Sequence, residues 1–590
     1  MNFAAVYHRS TPDMCYSPDG NELVINIRTD RDVDAVYLVH EDPFIHELNR
    51  KSEWYGRRER MSLSRELRYQ VIYTLKVRPE YKRLMYYFEL EADGRTYCLY
   101  ENKLCEKSEA NDTSKQFFKY AWLNPSDIIA PPKWVGDTVW YQIMPDRFCR
   151  HHDAPHDEKF RVWGDLSNPQ WYDCYGGTLR GITERLDYLK DIGISGIYMT
   201  PIFQSNSSHK YNTFDYTKVD SDFGTEDDLR ELVREAHSRG IRIMLDAVFN
   251  HCGHKFPPLL DVCEKGRASR YFDWFFINSD DFMKEEFTTA DGRFYSFSFW
   301  APMPKLNTNN PEVVKYFSDL CCYWAREWDI DGIRFDVGDE VSHSFIRKVH
   351  EKVRAIKPEI YLLGEIWVDS LNWLYGDEYD AVMNYPFSGC VNDYWKNTKL
   401  TAQDFVYAMN TCHSLYPEQV NRAMLNFLDT HDTPRAAESC RNLDVLLQKL
   451  VVLTTMTGAP CLYYGTEIAM KGKRDPYNRT PMPWDEIERG GHDEFIGKIR
   501  ALLKMRRENP ELRENDIKYH LDSANPRLLS YTKGGSIEVI VNAGKKAVDI
   551  DCGGEVLFSN LLSGGRLQRN GAAVIRKNKE GIKIYKILCQ

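Results

Sequence analysis

Apolar and polar positions alternate along Glu22–Thr29, Ala35–His40 and Tyr69–Val77, the period of half-buried strands. Leu84–Tyr100 keeps that period on both sides of Asp93-Gly94, a dipeptide suited to a tight hairpin turn. Residues 1–122 therefore read as an all-β module of sandwich type, and the Pro-containing stretch 123–136 reads as a linker.

The period then changes. Thr138–Pro145 is a candidate strand; Leu179, Ile182, Leu186 and Leu189 share one helical face that stops at Gly193, and the strand Ile194–Thr200 follows. Thr225 and Asp228 are spaced as a capping box ahead of Leu229, Leu232, Val233 and Ala236, with Gly240 as the stop and Ile241–Phe249 as the next strand. Residues 252–306 show no sustained period and read as an irregular insert. Asn310 as N-cap and Pro311 at the first helical position open another helix. Strand Gly332–Val337, helix Phe345–Ile356 and strands Ile360–Trp367, Ala381–Tyr385, Met424–Thr430 and Cys461–Gly465 complete the series. Eight strands mostly alternating with helices predict an α/β fold, a parallel (β/α)8 TIM barrel over 137–510 with the insert after the third strand. Residues 511–590 return to short alternating strands and predict a C-terminal β-domain.

A chain of 590 residues is too long for one core, which agrees with several domains. A net charge of −10 disfavours nucleic acid as the main partner. The first residues contain no apolar leader, and no apolar run reaches the roughly 18–20 residues of a membrane span, Leu450–Gly465 coming closest. The 15 cysteines include no C-x-x-C pair, so we expect reduced thiols, a cytoplasmic location and no metal site. Glycine-rich phosphate fingerprints are missing, which disfavours a nucleotide enzyme.

Arg334 and Asp336 stand two apart at the end of an apolar strand, on one face. Alone they are equally readable as a structural ion pair. In a (β/α)8 barrel, however, chemistry sits at the C-terminal strand ends. Those ends carry Asp246, Asn250 and His251; Arg334 and Asp336; Glu365; and His431 and Asp432. Paired carboxylates flanking a bond are the machinery of glycoside hydrolysis. Arg334 beside Asp336 would favour the ionised form that a nucleophile needs, and the apolar sequence around Glu365 would favour a protonated general acid.

At these residues the sequence resembles the α-amylase family, glycoside hydrolase family 13. "DAVFNH", "GIRFD", "GEIW" and "FLDTHD" match its four main motifs in order, and "MPKLN" (Met303–Asn307) resembles the subgroup of neopullulanases, cyclomaltodextrinases and maltogenic amylases. "WYQIMPDRF", "YMTPIF", "HKYNTFDY" and "MNYPF" extend the likeness along essentially the whole chain. The resemblance implies Asp336 as nucleophile, Glu365 as acid/base and Asp432 as the third carboxylate. It implies that His209, His251 and His431 bond the sugar at the cleavage point and that Tyr211 forms a platform beneath it. Asp246 and Arg334 match residues orienting the nucleophile. Trp367 and Glu340 match the leaving-group side, and Asp475 and Arg479 a pair holding the non-reducing end. The N-terminal domain matches a starch-binding-type module, and relatives often dimerise through it.

Three departures stand out: Asn212 where relatives often have Asp, Gly338-Asp339-Glu340 where they often read Ala-Asn-Glu, and "RFCRHHDAPHDEKF" in place of an oxygen-rich calcium loop. With His151, His152 and His156 among Asp153 and Asp157, calcium there is expected to be weak or absent, and no cofactor is required. The expected activity is retaining hydrolysis of α-1,4-glucosidic bonds in cyclodextrins, pullulan and maltooligosaccharides, with some transglycosylation. Two alternatives are an exo-acting α-glucosidase or glucosyltransferase on the same barrel, and a non-catalytic relative. "MPKLN" and the N-terminal domain argue against the first; the three acids argue against the second.

Overall fold

The computed structural model describes residues 1–109, 115–154, 157–282 and 286–577. They form two compact units: residues 1–131 with 374–376 and 400–421, and residues 132–373, 377–399 and 422–590.

In the first unit the alternating segments become two antiparallel sheets. One runs in the order Cys15–Tyr16, Leu23–Thr29, Val71–Val77, Ser62–Glu66; the other in the order Arg57–Arg60, Ala35–Glu41, Leu84–Ala92, Arg95–Leu99, Leu104–Glu106, with Phe118–Tyr120 also on Leu84–Ala92. Leu23, Ile25 and Ile27 of the first sheet pack with Val36, Leu38, Tyr86, Phe88 and Leu90 of the second in one buried core. Asp93 and Gly94 turn the hairpin at positive φ, 53° and 70°. Helix Ala402–His413 belongs to this unit, although its sequence lies between two barrel strands. Asn410 Nδ2 donates to the Glu66 carbonyl at 3.0 Å, and Arg68 pairs with Asp404 at 2.7 Å.

The second unit holds the barrel. Its strands are β1 (Trp140–Ile143), β2 (Gly196–Met199), β3 (Arg242–Ala247), β4 (Gly332–Phe335), β5 (Tyr361–Gly364), β6 (Ala381–Val382), β7 (Leu425–Phe427) and β8 (Ala459–Tyr463). All pair in parallel in the order β6-β5-β4-β3-β2-β1-β8-β7, and a parallel bridge from Met383 to Leu425 closes the ring. The strands are apolar nearly throughout because helices cover them outside and side chains fill them inside. Thr225 makes the reciprocal capping box with Asp228, and Asn310 caps the helix that Pro311 opens. The face Leu179–Leu189 is carried by two helices, Leu179–Glu184 and Leu186–Ile192, that meet at Arg185.

The insert is less irregular than its sequence suggests: Pro257–Lys265 is helical, opened by prolines in its first turn and anchored by buried Leu259 and Val262. Its nine residues are too short for periodicity to reveal. The C-terminal strands form an antiparallel sheet ordered Ile517–His520, Leu528–Lys533, Ile537–Asn542, Arg566–Lys577, Val548–Asp549, with Gly554–Ser563 also on Arg566–Lys577. Among the described residues no helix is long and apolar enough to cross a membrane, and no two cysteines are joined in a disulfide.

Candidate active site

Parallel pairing brings the strand ends to one mouth of the barrel. Asp246 of β3 lies opposite Arg334 of β4, so both point inward at one level. Arg334 has no exposed surface. A buried guanidinium is costly unless its donors are matched, and here three acids meet it. Nη1 bonds Asp246 at 2.8 and 2.9 Å and Asp336 Oδ1 at 2.9 Å. Nη2 lies 2.7 Å from Glu365 Oε2, an ion-pair contact whose angle falls outside hydrogen-bond geometry. One planar fork thus ties the acids following β4 and β5 to the acid within β3.

Asp336 and Glu365 each follow directly on the last residue of a strand. Burial pushes the Asp336 carboxyl well up, Arg334 opposes this, and Glu365, Asp246 and Asp432 add to it. The pull from Arg334 anticipated in the sequence is present, but burial outweighs it. The apolar neighbours of Glu365 in sequence do not surround its carboxyl, which meets donors instead. Oε1 accepts from Tyr385 Oη at 3.1 Å and Trp367 Nε1 at 3.3 Å, and Oε2 accepts from the Val337 amide at 3.2 Å. Val337 reaches this position at φ 47°, a strained conformation for a β-branched residue. Gly364 precedes Glu365 because a Cβ there would lie 2.6 Å from the Tyr379 ring.

A second chain of bonds crosses the barrel mouth. Gln142 of β1 sits 2.8 Å from His431 Nδ1, and His431 Nε2 sits 2.7 Å from Tyr211 Oη, which lies 2.9 Å from Asp246. An amide donor on Nδ1 leaves the proton on Nε2, so Tyr211 accepts from His431 and donates to Asp246. Tyr198 Oη donates to the same carboxylate at 2.8 Å. Burial drives His431 well below the usual histidine range and His209 and His251 down to about 3, so these rings are neutral donors and acceptors. Tyr211 and His431 stack at 5.3 Å, with His209 behind Tyr211 at 5.9 Å. His251 is already engaged by protein, with Nε2 3.1 Å from the Tyr211 carbonyl and its ring 4.9 Å from Phe297.

Asp432 remains partly open, its side chain 34% exposed, with His431 Nε2 at 3.1 Å and Arg479 Nη2 at 3.1 Å. Arg479 also contacts Asp475 at 3.3 Å. On the far side Lys305 of "MPKLN" pairs with Glu340 at 3.0 Å, and Trp367, 53% exposed, stacks on Tyr385 at 4.0 Å. Tyr211, His251, Asp336, Glu340, Glu365, Trp367, His431 and Asp432 line one cleft of about 460 Å³ with Phe297, Met303, Val337 and Asp339. His209, Asp246 and Arg334 support it from behind, and Arg479 links Asp432 to Asp475. The expected residues therefore meet. Sequence reading missed Gln142, Tyr198, Lys305, Phe297 and Tyr385, each lying in a quoted motif or the insert but uncharged or outside a strand end. Asn212 bonds through both amide ends, accepting from Ser205 Oγ and donating to Asn206 at 2.5 Å, which a carboxylate would not reproduce. The expected metal-poor loop lies in part outside the described residues, since His156 is among those omitted; His151 and His152 are described.

This architecture matches known proteins along its whole length. The family description "Alpha amylase, catalytic domain" matches residues 142–531, and "Alpha amylase, N-terminal ig-like domain" matches residues 1–124. The chain is 40% identical over 578 residues to a cyclomaltodextrinase of Geobacillus thermopakistaniensis (strain MAS1), covering 96% of both chains. It is 38% identical over 538 residues to an intracellular maltogenic amylase of Bacillus subtilis (strain 168), covering 90% of this chain and 89% of that protein. A solved cyclomaltodextrinase superposes with a TM-score of 0.87 at 32% identity over 98% of this chain and 100% of that one. The chain belongs to the α-amylase family, in the subgroup of cyclomaltodextrinases, maltogenic amylases and neopullulanases.

Proposed function

We propose that the chain is a retaining hydrolase of α-1,4-glucosidic bonds in cyclodextrins, pullulan and short maltooligosaccharides. The observation that supports this most is the single buried guanidinium of Arg334 touching Asp246, Asp336 and Glu365 at the rim of an open cleft. Asp336 attacks the anomeric carbon while Glu365 gives its proton to the departing glycosidic oxygen, so one C–O bond forms as another breaks. Water then enters, Glu365 takes its proton, and the water oxygen displaces Asp336. A sugar hydroxyl in place of water gives transglycosylation. Asp432, Tyr211 and the neutral histidines hold the distorted glucose. Trp367 and Glu340 receive the leaving chain, and Asp475 and Arg479 meet the non-reducing end. No step needs a cofactor. We place the enzyme in the cytoplasm, in keeping with the relatives named intracellular maltogenic amylases, and as a homodimer formed through the N-terminal domain, which the family resemblance implies; fractionation and light scattering test the two readings.

The functional test is a product time course on γ-cyclodextrin and pullulan for wild type and Asp336→Asn. The reading expects linear maltooligosaccharides from the ring, panose from pullulan, and at least a thousandfold loss in the variant. Glucose as the sole first product would favour the exo-acting α-glucosidase; unchanged turnover in the variant would remove Asp336 as nucleophile.

A further inference from the structure

The loop that follows β1 carries a second cluster of donor atoms, apart from the cleft. His151 Nε2 lies 3.2 Å from Glu184 Oε1, and His152 Nδ1 contacts the same oxygen. The three donor atoms all lie within 4.8 Å of one another. The sequence hid this cluster because Glu184 stands 32 residues beyond His152, in the helix Leu179–Glu184. His151 is buried, while the side chains of Glu184 and His152 are 30% and 71% exposed, so solvent and ions reach the cluster from one side.

The donor set decides which ion fits. Calcium takes six to eight oxygens, and two imidazoles with one carboxylate do not supply them, so calcium does not fit here. Two nitrogens and an oxygen fit Zn²⁺, Co²⁺ or Ni²⁺, with water completing the coordination. In a tetrahedral site with bonds of about 2.0–2.1 Å, donors sit roughly 3.3 Å apart, which the His151–Glu184 contact already approaches. One bond opposes this: the Asp153 amide donates to His151 Nδ1 at 3.2 Å, so metal on Nε2 moves the ring proton to Nδ1 and breaks that contact. It is a long bond between neutral groups, weaker than the metal–imidazole bond that replaces it. His152 is exposed, and its Nε2 lies 3.2 Å from Asp153 Oδ2, which keeps Nδ1 turned toward Glu184 and the shared ion position.

We propose that His151, His152 and Glu184 form a divalent transition-metal site that pins the loop after β1 to the following helix. Arg147, at the start of that loop, donates from Nη1 to the Arg479 carbonyl at 2.6 Å. A pinned loop therefore steadies the segment that bears on Asp432, without the metal touching substrate.

The test uses the full-length, metal-stripped protein and Co²⁺, whose spectrum separates nitrogen and oxygen ligands from the thiolates of the partly buried cysteines. One equivalent should bind with visible d–d bands and no thiolate charge-transfer band. Zn²⁺ should raise Tm. His151→Gln, His152→Ala and Glu184→Gln should each weaken Co²⁺ binding at least thirtyfold and lose the Zn²⁺ shift, while keeping their fold and metal-free cyclodextrin turnover. No bound equivalent, a thiolate band, or affinity unchanged in the folded His152→Ala and Glu184→Gln variants would overturn the site.

Discussion

Arg334→Lys isolates the fork from the charge. A lysine keeps the positive charge but offers one nitrogen where arginine reaches Asp246 and Asp336 through Nη1 and contacts Glu365 through Nη2. Each charge-assisted bond is worth about 1.5–3 kcal/mol. Loss of two of them, partly offset by the single ammonium bond, leaves roughly 1.5–3 kcal/mol of lost transition-state stabilisation, or about 10- to 150-fold in kcat/KM. The pH profile carries the sharper test. Burial already pushes the Asp336 carboxyl up and Arg334 opposes this. Weakening Arg334 raises it further, so the acid limb of kcat/KM must move to higher pH, because the nucleophile then ionises later. The assay is initial-rate hydrolysis of γ-cyclodextrin from pH 4 to 9, with a thermal melt to establish folding. A folded variant within tenfold of wild type and with an unmoved acid limb would refute the reasoning.

Tyr385→Phe removes the 3.1 Å bond to Glu365 and keeps the ring that supports Trp367; kcat should fall about ten- to hundredfold, the worth of one charge-assisted bond. Thr225→Ala deletes one half of a capping box far from the cleft; it should cost about 1 kcal/mol, read as a fall in Tm of about 1 °C in a unit of this size, with kcat unchanged. His8, buried with Nδ1 2.6 Å from the Asn26 carbonyl and Nε2 2.9 Å from Tyr86 Oη, is driven by burial down to about 4. Its folded value lies below the unfolded one of about 6.5, so the stability it confers is complete above that pH and is lost as pH falls toward 4, roughly 3 kcal/mol in all. His8→Gln should therefore be less stable than wild type at pH 7.5, and the gap in urea midpoint should narrow toward pH 4.5; a constant gap would contradict this.

Much of this fold is legible because burial writes period into sequence. Seven of the barrel strands lie inside the expected runs and β8 begins two residues before its own, at Ala459, and Thr225–Asp228 and Asn310-Pro311 marked helix starts by hydrogen-bonding chemistry that is local in the chain. The carboxylates were legible because charge at the end of an apolar strand is costly and so informative. What escaped was long-range. Helix Ala402–His413 carries no local mark that it packs with the first unit. Gln142 and Tyr198 are uncharged residues inside strands, and only the closed ring shows that they face Asp246 and His431. The roles of Asp336 and Glu365 were first argued from sequence neighbours, which misdescribed Glu365: Tyr385, 20 residues away, supplies one of its donors.

The most direct test of the central claim is to trap the sugar on the enzyme. Glu365→Gln, which cannot protonate a leaving group, is incubated with a 5-fluoro-α-glycosyl fluoride, whose fluoride departs unaided and whose ring slows the second step. Intact and peptide mass spectrometry should find one glycosyl unit in ester linkage to Asp336, lost when Asp336 is replaced by Asn. A glycosyl unit on any other residue, or steady release of a β-configured product with no adduct, would contradict the account.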